Sequence, residues 1–145
     1  MIQEEKQLLI QVLCTLLPYG VQGMSSEGVV SPLLTRGEAD WDILTSLNYR
    51  IVKHGWKPFL RPMSSMTEDE FKELKNDTGL NYYQLELVFW ADGSATLEFY
   101  LEEVPQYCVI NVFNWLNKKH FDYNGLITMN LALEAPKDMY NTKIE

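Results

Sequence analysis

Apolar residues at Leu9, Val12, Leu13 and Leu16 fall on one side of a 3.6-residue spiral, and Gln3, Glu4, Lys6, Gln7 and Gln11 fall mostly elsewhere. This pattern predicts an amphipathic helix over 2–17. Glu4 and Glu5 suit the positive end of its dipole, and Pro18 stops it. A second stripe, Val109, Val112, Phe113 and Leu116, predicts a helix over 105–118, with Pro105 in its first turn and Lys118, Lys119 and His120 at its negative end. A short helix over 67–76 carries its own start signal. Thr67 and Glu70 form a capping box, Met66 and Phe71 a hydrophobic staple, and Gly79 the stop.

Between the last two helices the apolar period changes from 3.6 to 2. Tyr83, Leu85, Leu87 and Phe89 alternate with more polar positions, as do Ala95, Leu97, Phe99 and Leu101, which predicts a β-hairpin over 82–102. Loop length decides whether the two apolar faces coincide. A two-residue Asp92-Gly93 turn sets Leu87 opposite Glu98. A three-residue loop, Ala91-Asp92-Gly93, pairs Leu87 with Leu97 and Leu85 with Phe99, and puts Gly93 at the left-handed position. One residue of slip inverts every side chain, so the three-residue loop is expected.

Residues 19–56 carry a weaker pattern. Tyr19–Gln22, Val29–Leu34 and Trp41–Thr45 are short candidate strands separated by Gly23, Gly28 and Gly37, with Pro32 marking a sheet edge. After a turn at Tyr123-Asn124-Gly125, residues Leu126, Ile127, Leu131 and Leu133 suggest one more short strand or turn on the core. The polar end after Pro136 is expected to fray. The resulting expectation is a single α+β domain, 1–145. Its antiparallel sheet is centred on the 82–102 hairpin and packed on helices 2–17 and 105–118, because matched apolar faces must cover one another.

Composition narrows the function classes. The chain has 145 residues, 46% hydrophobic and 22% charged, which is globular rather than disordered. Twenty acids against 12 bases give a net charge of −8. Such a surface repels phosphate, so broad binding to nucleic acid or anionic membrane is disfavoured. Cys14 and Cys108 lie in apolar helical patterns and read as reduced, buried hydrophobes. The start Met1-Ile2-Gln3-Glu4 is acidic where a secretory signal is basic, and the longest apolar runs are a few residues. A cytoplasmic protein with no membrane span is expected. The sequence sets no oligomeric state.

No G-x-S-x-G, H-E-x-x-H, phosphate-binding G-K-[ST] or paired C-x-x-C motif occurs, and only His54 and His120 are available as imidazoles. The expectation is no cofactor and no metal, and a protein that is not an enzyme. Glu86 and Glu98, predicted to oppose each other across the hairpin, are the first place to seek metal-dependent hydrolysis, although solvated carboxylates are the plainer reading. Lys57, Phe59, Arg61 and the Ser64–Ser65 approach to a helix N-terminus combine cations, a stacking ring, hydroxyls and a positive dipole within nine residues. They form the candidate site for a small anionic ligand or nucleotide, with His120 and Tyr123 completing it if the third helix ends nearby. A structural ion pair for Arg61 is the favoured alternative. Trp90 and Tyr100, on the outer hairpin face, suit a protein partner.

Two strings carry a resemblance: Lys57-Pro58-Phe59-Leu60-Arg61-Pro62-Met63-Ser64-Ser65-Met66-Thr67-Glu68, and Trp115-Leu116-Asn117 through His120-Phe121-Asp122-Tyr123, Gly125-Leu126-Ile127 and Leu131-Ala132-Leu133-Glu134-Ala135-Pro136 to Met139-Tyr140. With the Pro18-Tyr19-Gly20-Val21 start, they resemble a family of small proteins encoded by phages and prophages of gut Bacteroides-type bacteria. The resemblance implies a setting and no mechanism: an accessory protein of a phage or mobile element, acting in the bacterial cytoplasm. A protein partner is expected ahead of a small anionic ligand.

Overall fold

The computed structural model describes residues 2–33, 51, 54–80, 84–99 and 106–140. It shows an α+β fold, as the hydrophobic pattern predicts, and the chain divides into two compact units. One comprises Met1–Leu60 with Asn124–Glu145, and the other is the continuous segment Arg61–Tyr123.

In the first unit, helix α1 (Gln3–Leu16) buries Leu9, Val12, Leu13 and Leu16, the stripe read from the sequence. Cys14 lies off that stripe and is exposed, contrary to expectation; one residue past Leu13 means a rotation of about 100° away from the core. A 3₁₀ turn, Leu17–Tyr19, follows. Three strands come next: β1 (Gln22–Met24), β2 (Val30–Pro32) and β3 (Lys57–Leu60). With β6 (Leu133–Glu134) they make a mixed sheet in the order β2-β1-β3-β6. Pro32 is on the edge strand, as its missing N–H requires. The expected Tyr19–Gln22 strand is displaced toward Met24, and Val29–Leu34 is shortened. Trp41–Thr45 lies outside the described residues.

Gly23 was expected to separate strands, yet it sits inside β1, with Ser31 of β2 on one side and Pro58 of β3 on the other. A Cβ there would stand 2.8 Å from Leu33 Cγ and 2.9 Å from the Lys57 carbonyl oxygen. Close approach, not a turn, requires glycine. Gly23→Ala is expected to cost about 1–3 kcal/mol through overpacking, read as a lower denaturant midpoint.

The core of this unit joins α1 to Val21, Leu33, Ile51, Trp56, Leu60, Leu126 and Leu131. The buried stripe of helix 2–17, expected against the hairpin, lies in this core, none of whose described residues belongs to the hairpin. The segment after Pro136 was expected to fray. Its described part, residues 137–140, is held through Tyr140, whose hydroxyl donates to the Phe59 carbonyl at 2.7 Å and accepts from the Gln22 N–H at 2.8 Å, and residues 141–145 lie outside the described residues. Burial pushes the Tyr140 phenol up to about 12, against a downward pull from the Gln22 backbone. A folded value above the unfolded value near 10 favours the neutral form in the native state. The stabilisation is therefore complete below about pH 10 and is lost as pH rises through the folded value. Tyr140→Phe is expected to cost about 1–3 kcal/mol at neutral pH, by leaving backbone groups without a partner. The variant should also flatten the alkaline arm of the stability curve, as read from denaturant midpoints above and below about pH 10.

In the second unit, a 3₁₀ turn (Met63–Ser65) leads into helix α2 (Glu68–Thr78). Its capping box is formed as expected, with Thr67 accepting from the Glu70 N–H and Glu70 from the Thr67 N–H, and Gly79 closes it in the left-handed region. Strands β4 (Leu85–Phe89) and β5 (Ala95–Phe99) pair Leu85 with Phe99, Leu87 with Leu97 and Glu86 with Glu98, the register of the three-residue loop. The Trp90 N–H donates to the Ser94 carbonyl, and Gly93 has φ 89°. Helix α3 (Gln106–Lys118) buries Cys108, Val112, Trp115 and Leu116, while Val109 and Phe113 are partly covered. With Met63, Met66, Leu74, Leu85 and Phe121 these form the core of this unit.

Candidate functional site

The residues singled out in the sequence fall into both units. Lys57 and Phe59 lie on β3. Lys57 Nζ donates to Asn130 Oδ1 at 3.1 Å, and the Phe59 ring is buried. Phe59 reads as a core residue rather than an open stacking platform. Its backbone carbonyl serves Tyr140.

Arg61, Ser64, Ser65, His120 and Tyr123 belong to the second unit. Helix α3 ends beside Arg61: the Arg61 N–H donates to the His120 carbonyl at 2.7 Å, and the Asp122 N–H donates to the Arg61 carbonyl at 2.8 Å. The helix end explains the contact. His120 has φ 64°, its N–H donates to Asn117 O, and the Phe121 N–H reaches back to Leu116 O. These two bonds are those of a Schellman closure, with a histidine where glycine is usual. The closure turns Phe121 into the core and leaves His120 buried. The Tyr123 hydroxyl donates to Asn117 Oδ1 at 2.9 Å, and its ring packs 5.0 Å from that of Phe113.

Arg61 is held on two sides. Its fork donates to both Glu70 oxygens, at 2.7 and 2.8 Å, and its guanidinium carbon lies 4.2 Å from the Phe121 ring centroid. Glu70 thereby closes the capping box and binds the arginine with one carboxylate. Burial raises the Glu70 carboxyl, but the bonds from Arg61 and Thr67 and the charges of Arg61 and Lys119 outweigh it and hold it below the usual value. The ion pair is thus favoured above the ordinary glutamate range and fades as pH falls through the lowered value. Ser65 Oγ donates to the Pro62 carbonyl at 2.7 Å, closing the 3₁₀ turn. Geometry of this kind fastens a chain segment to two helix ends and directs the arginine inward, as the ion-pair alternative requires.

One turn further along the same face of α2, Glu73 Oε2 accepts from Trp115 Nε1 at 3.0 Å and pairs with Lys119 Nζ at 3.1 Å. Trp115 stacks on Phe121, with centroids 6.0 Å apart. Among the described residues no group of three or more metal-binding side chains comes together. Glu86 and Glu98 oppose each other and are exposed.

A different surface was only half legible in the sequence. Trp90 is 51% exposed, as expected, but Phe89, expected to face inward, is 61% exposed. Its cross-strand partner Ala95 is buried, so the core reaches the backbone there without covering the larger ring. On α3, Tyr107 and Ile110 are 68% and 55% exposed. They are three residues apart on one helix face, outside the buried stripe. The period of the helix could have found these two, since neither position falls on the buried stripe. Tyr100 lies outside the described residues.

The fold and these surfaces define an α+β protein with aromatic side chains displayed on a hairpin. Comparison with family models, curated proteins and solved structures yields no match. Among the described residues, no helix is long and apolar enough to cross a membrane.

Proposed function

We propose that this chain is a non-catalytic accessory protein of a phage or other mobile element, acting in the cytoplasm of a Bacteroides-type host by binding another protein. The biological setting rests on the resemblance carried by the strings at 57–68 and 115–140. The mode of action rests on one observation: two consecutive large aromatics, Phe89 and Trp90, are each more than half exposed at the end of a hairpin. Burying an aromatic side chain is worth about 1.5–3 kcal/mol, so a protein that covers both rings gains substantially. Tryptophan is also among the side chains most often dominant at protein interfaces. The arginine named for an anionic ligand, by contrast, is engaged with Glu70 and Phe121.

The test is site-directed photo-crosslinking in host cells, with an aromatic photoreactive residue, which keeps a ring at the site, placed at position 90 and, as control, at the exposed Asp69 of α2. A discrete protein captured at 90, not at 69, and lost in a Phe89→Ser background is the expected outcome. Equal capture at both positions, or none at 90, refutes the reading.

A further inference from the structure

The sequence distributes its charge unevenly. Between Lys75 and Lys118 there is no lysine, arginine or histidine, and there are six carboxylates: Asp77, Glu86, Asp92, Glu98, Glu102 and Glu103. All of β4, the loop and β5 lies inside this stretch, as does all of α3 except its last residue. Against a chain total of −8, this stretch alone contributes −6.

On the outer hairpin face, register sets Glu86 across from Glu98 and Val88 across from Thr96. Trp90 Nε1 donates to Thr96 Oγ1 at 2.9 Å, and Thr96 Oγ1 donates to Glu98 Oε1 at 3.4 Å. The indole is thereby fixed over this face beside carboxylates rather than left to swing at the tip. Glu86 and Glu98, both exposed, bring two carboxylates together on this face. An indole face attracts a cation, and an adjacent carboxylate strengthens the attraction.

Resting on the protein-binding reading above, we infer that the outer hairpin face takes a positively charged, partly apolar segment of the partner. Arginine or lysine stems lie along Trp90 and Val88, and their charged ends face Glu86 and Glu98. Nucleic acid and anionic membrane carry the wrong sign for this face. A second copy of this chain brings the same carboxylates and is repelled.

Two probes test the inference on the full chain: a peptide of alternating arginine and valine, and its counterpart with glutamate for arginine. Backbone amide shifts locate binding, and titration measures it. The arginine peptide is expected to perturb amides of β4 and β5, and the glutamate peptide to perturb none. Glu86→Gln/Glu98→Gln should weaken arginine-peptide binding roughly fivefold, the scale of two exposed charge contacts. Trp90→Ser should weaken binding by a similar factor, with Trp90→Phe intermediate as a variant that keeps a ring. Raising salt from about 0.1 M to about 1 M shortens the screening length from about 10 Å to about 3 Å and should abolish most of the binding. Equal binding of both peptides, perturbations outside the hairpin, or an affinity unchanged by the glutamine pair overturns the inference.

Crosslinking at position 90 distinguishes protein binding in general from binding of a positively charged segment. A captured protein whose yield is indifferent to salt and to the glutamine pair leaves the protein-binding reading standing and removes this one. Capture of nothing at position 90 removes both.

Discussion

Replacing Phe121 with alanine is expected to cost about 3–5 kcal/mol, the usual range for deleting a buried aromatic. Phe121 is fully buried, stacks on Trp115 and lies beneath the Arg61 guanidinium. Removing the ring opens a cavity in the core of the Arg61–Tyr123 unit, and the Arg61–Glu70 ion pair loses its floor. A deficit of that size takes a large share of the stability of an ordinary small domain, about 5–15 kcal/mol. Urea titration followed by tryptophan fluorescence is the measurement, since Trp115 reports on the same contact. Phe121→Leu restores most of the volume without the ring faces, and should recover more than half of the loss. Full recovery with leucine would show that stacking and the cation–π contact add nothing beyond volume.

The second large effect concerns strand register. Leu85→Asp is expected to unfold the hairpin unit, whereas Glu86→Ala, one residue away, should change stability by less than about 0.5 kcal/mol, as ordinary surface substitutions do. Leu85 is fully buried opposite Phe99, and Glu86 is exposed opposite Glu98. An aspartate at position 85 forces either an unpaired charge into an apolar core or a slip of one residue that turns every apolar side chain outward. Leu87→Asp should be milder than Leu85→Asp, because Leu87 is only partly buried. Circular dichroism and a melting curve on the three variants check the order. Similar melting temperatures for Leu85→Asp and Glu86→Ala would refute the pairing.

The hairpin was readable because its information is local. Period-2 alternation, loop length and the left-handed Gly93 all point to one register, so no long-range contact is needed to choose it. The capping box at Thr67 and Glu70 and the stripe of α1 were readable for the same reason. Arg61 could be assigned an ion pair in outline, but its partner could not be named. Glu70 stands nine residues away and already serves as the N3 residue of its own helix. That one carboxylate satisfies both demands depends on the position of the α2 N-terminus.

Four features belong to the tertiary structure alone. Gly23 has the local signature of a strand separator, yet a neighbouring backbone and Leu33 fill the space where its Cβ would be. Tyr140 sits in a polar tail, and only the meeting of Gln22 and Phe59 gives its hydroxyl a reason to be buried. Phe89 alternates correctly with its neighbours, but alternation says which face a side chain takes and not whether anything covers it. The stripe of α1 announces a buried face without naming its partner, because apolar attraction is non-directional and every apolar face in the chain offers similar surface. Periodicity, caps and turns follow from backbone geometry within a few residues, and the sequence by itself determined these. Which faces meet, which backbones touch and which rings remain in water follow from contacts between distant segments, and only the folded chain decided them.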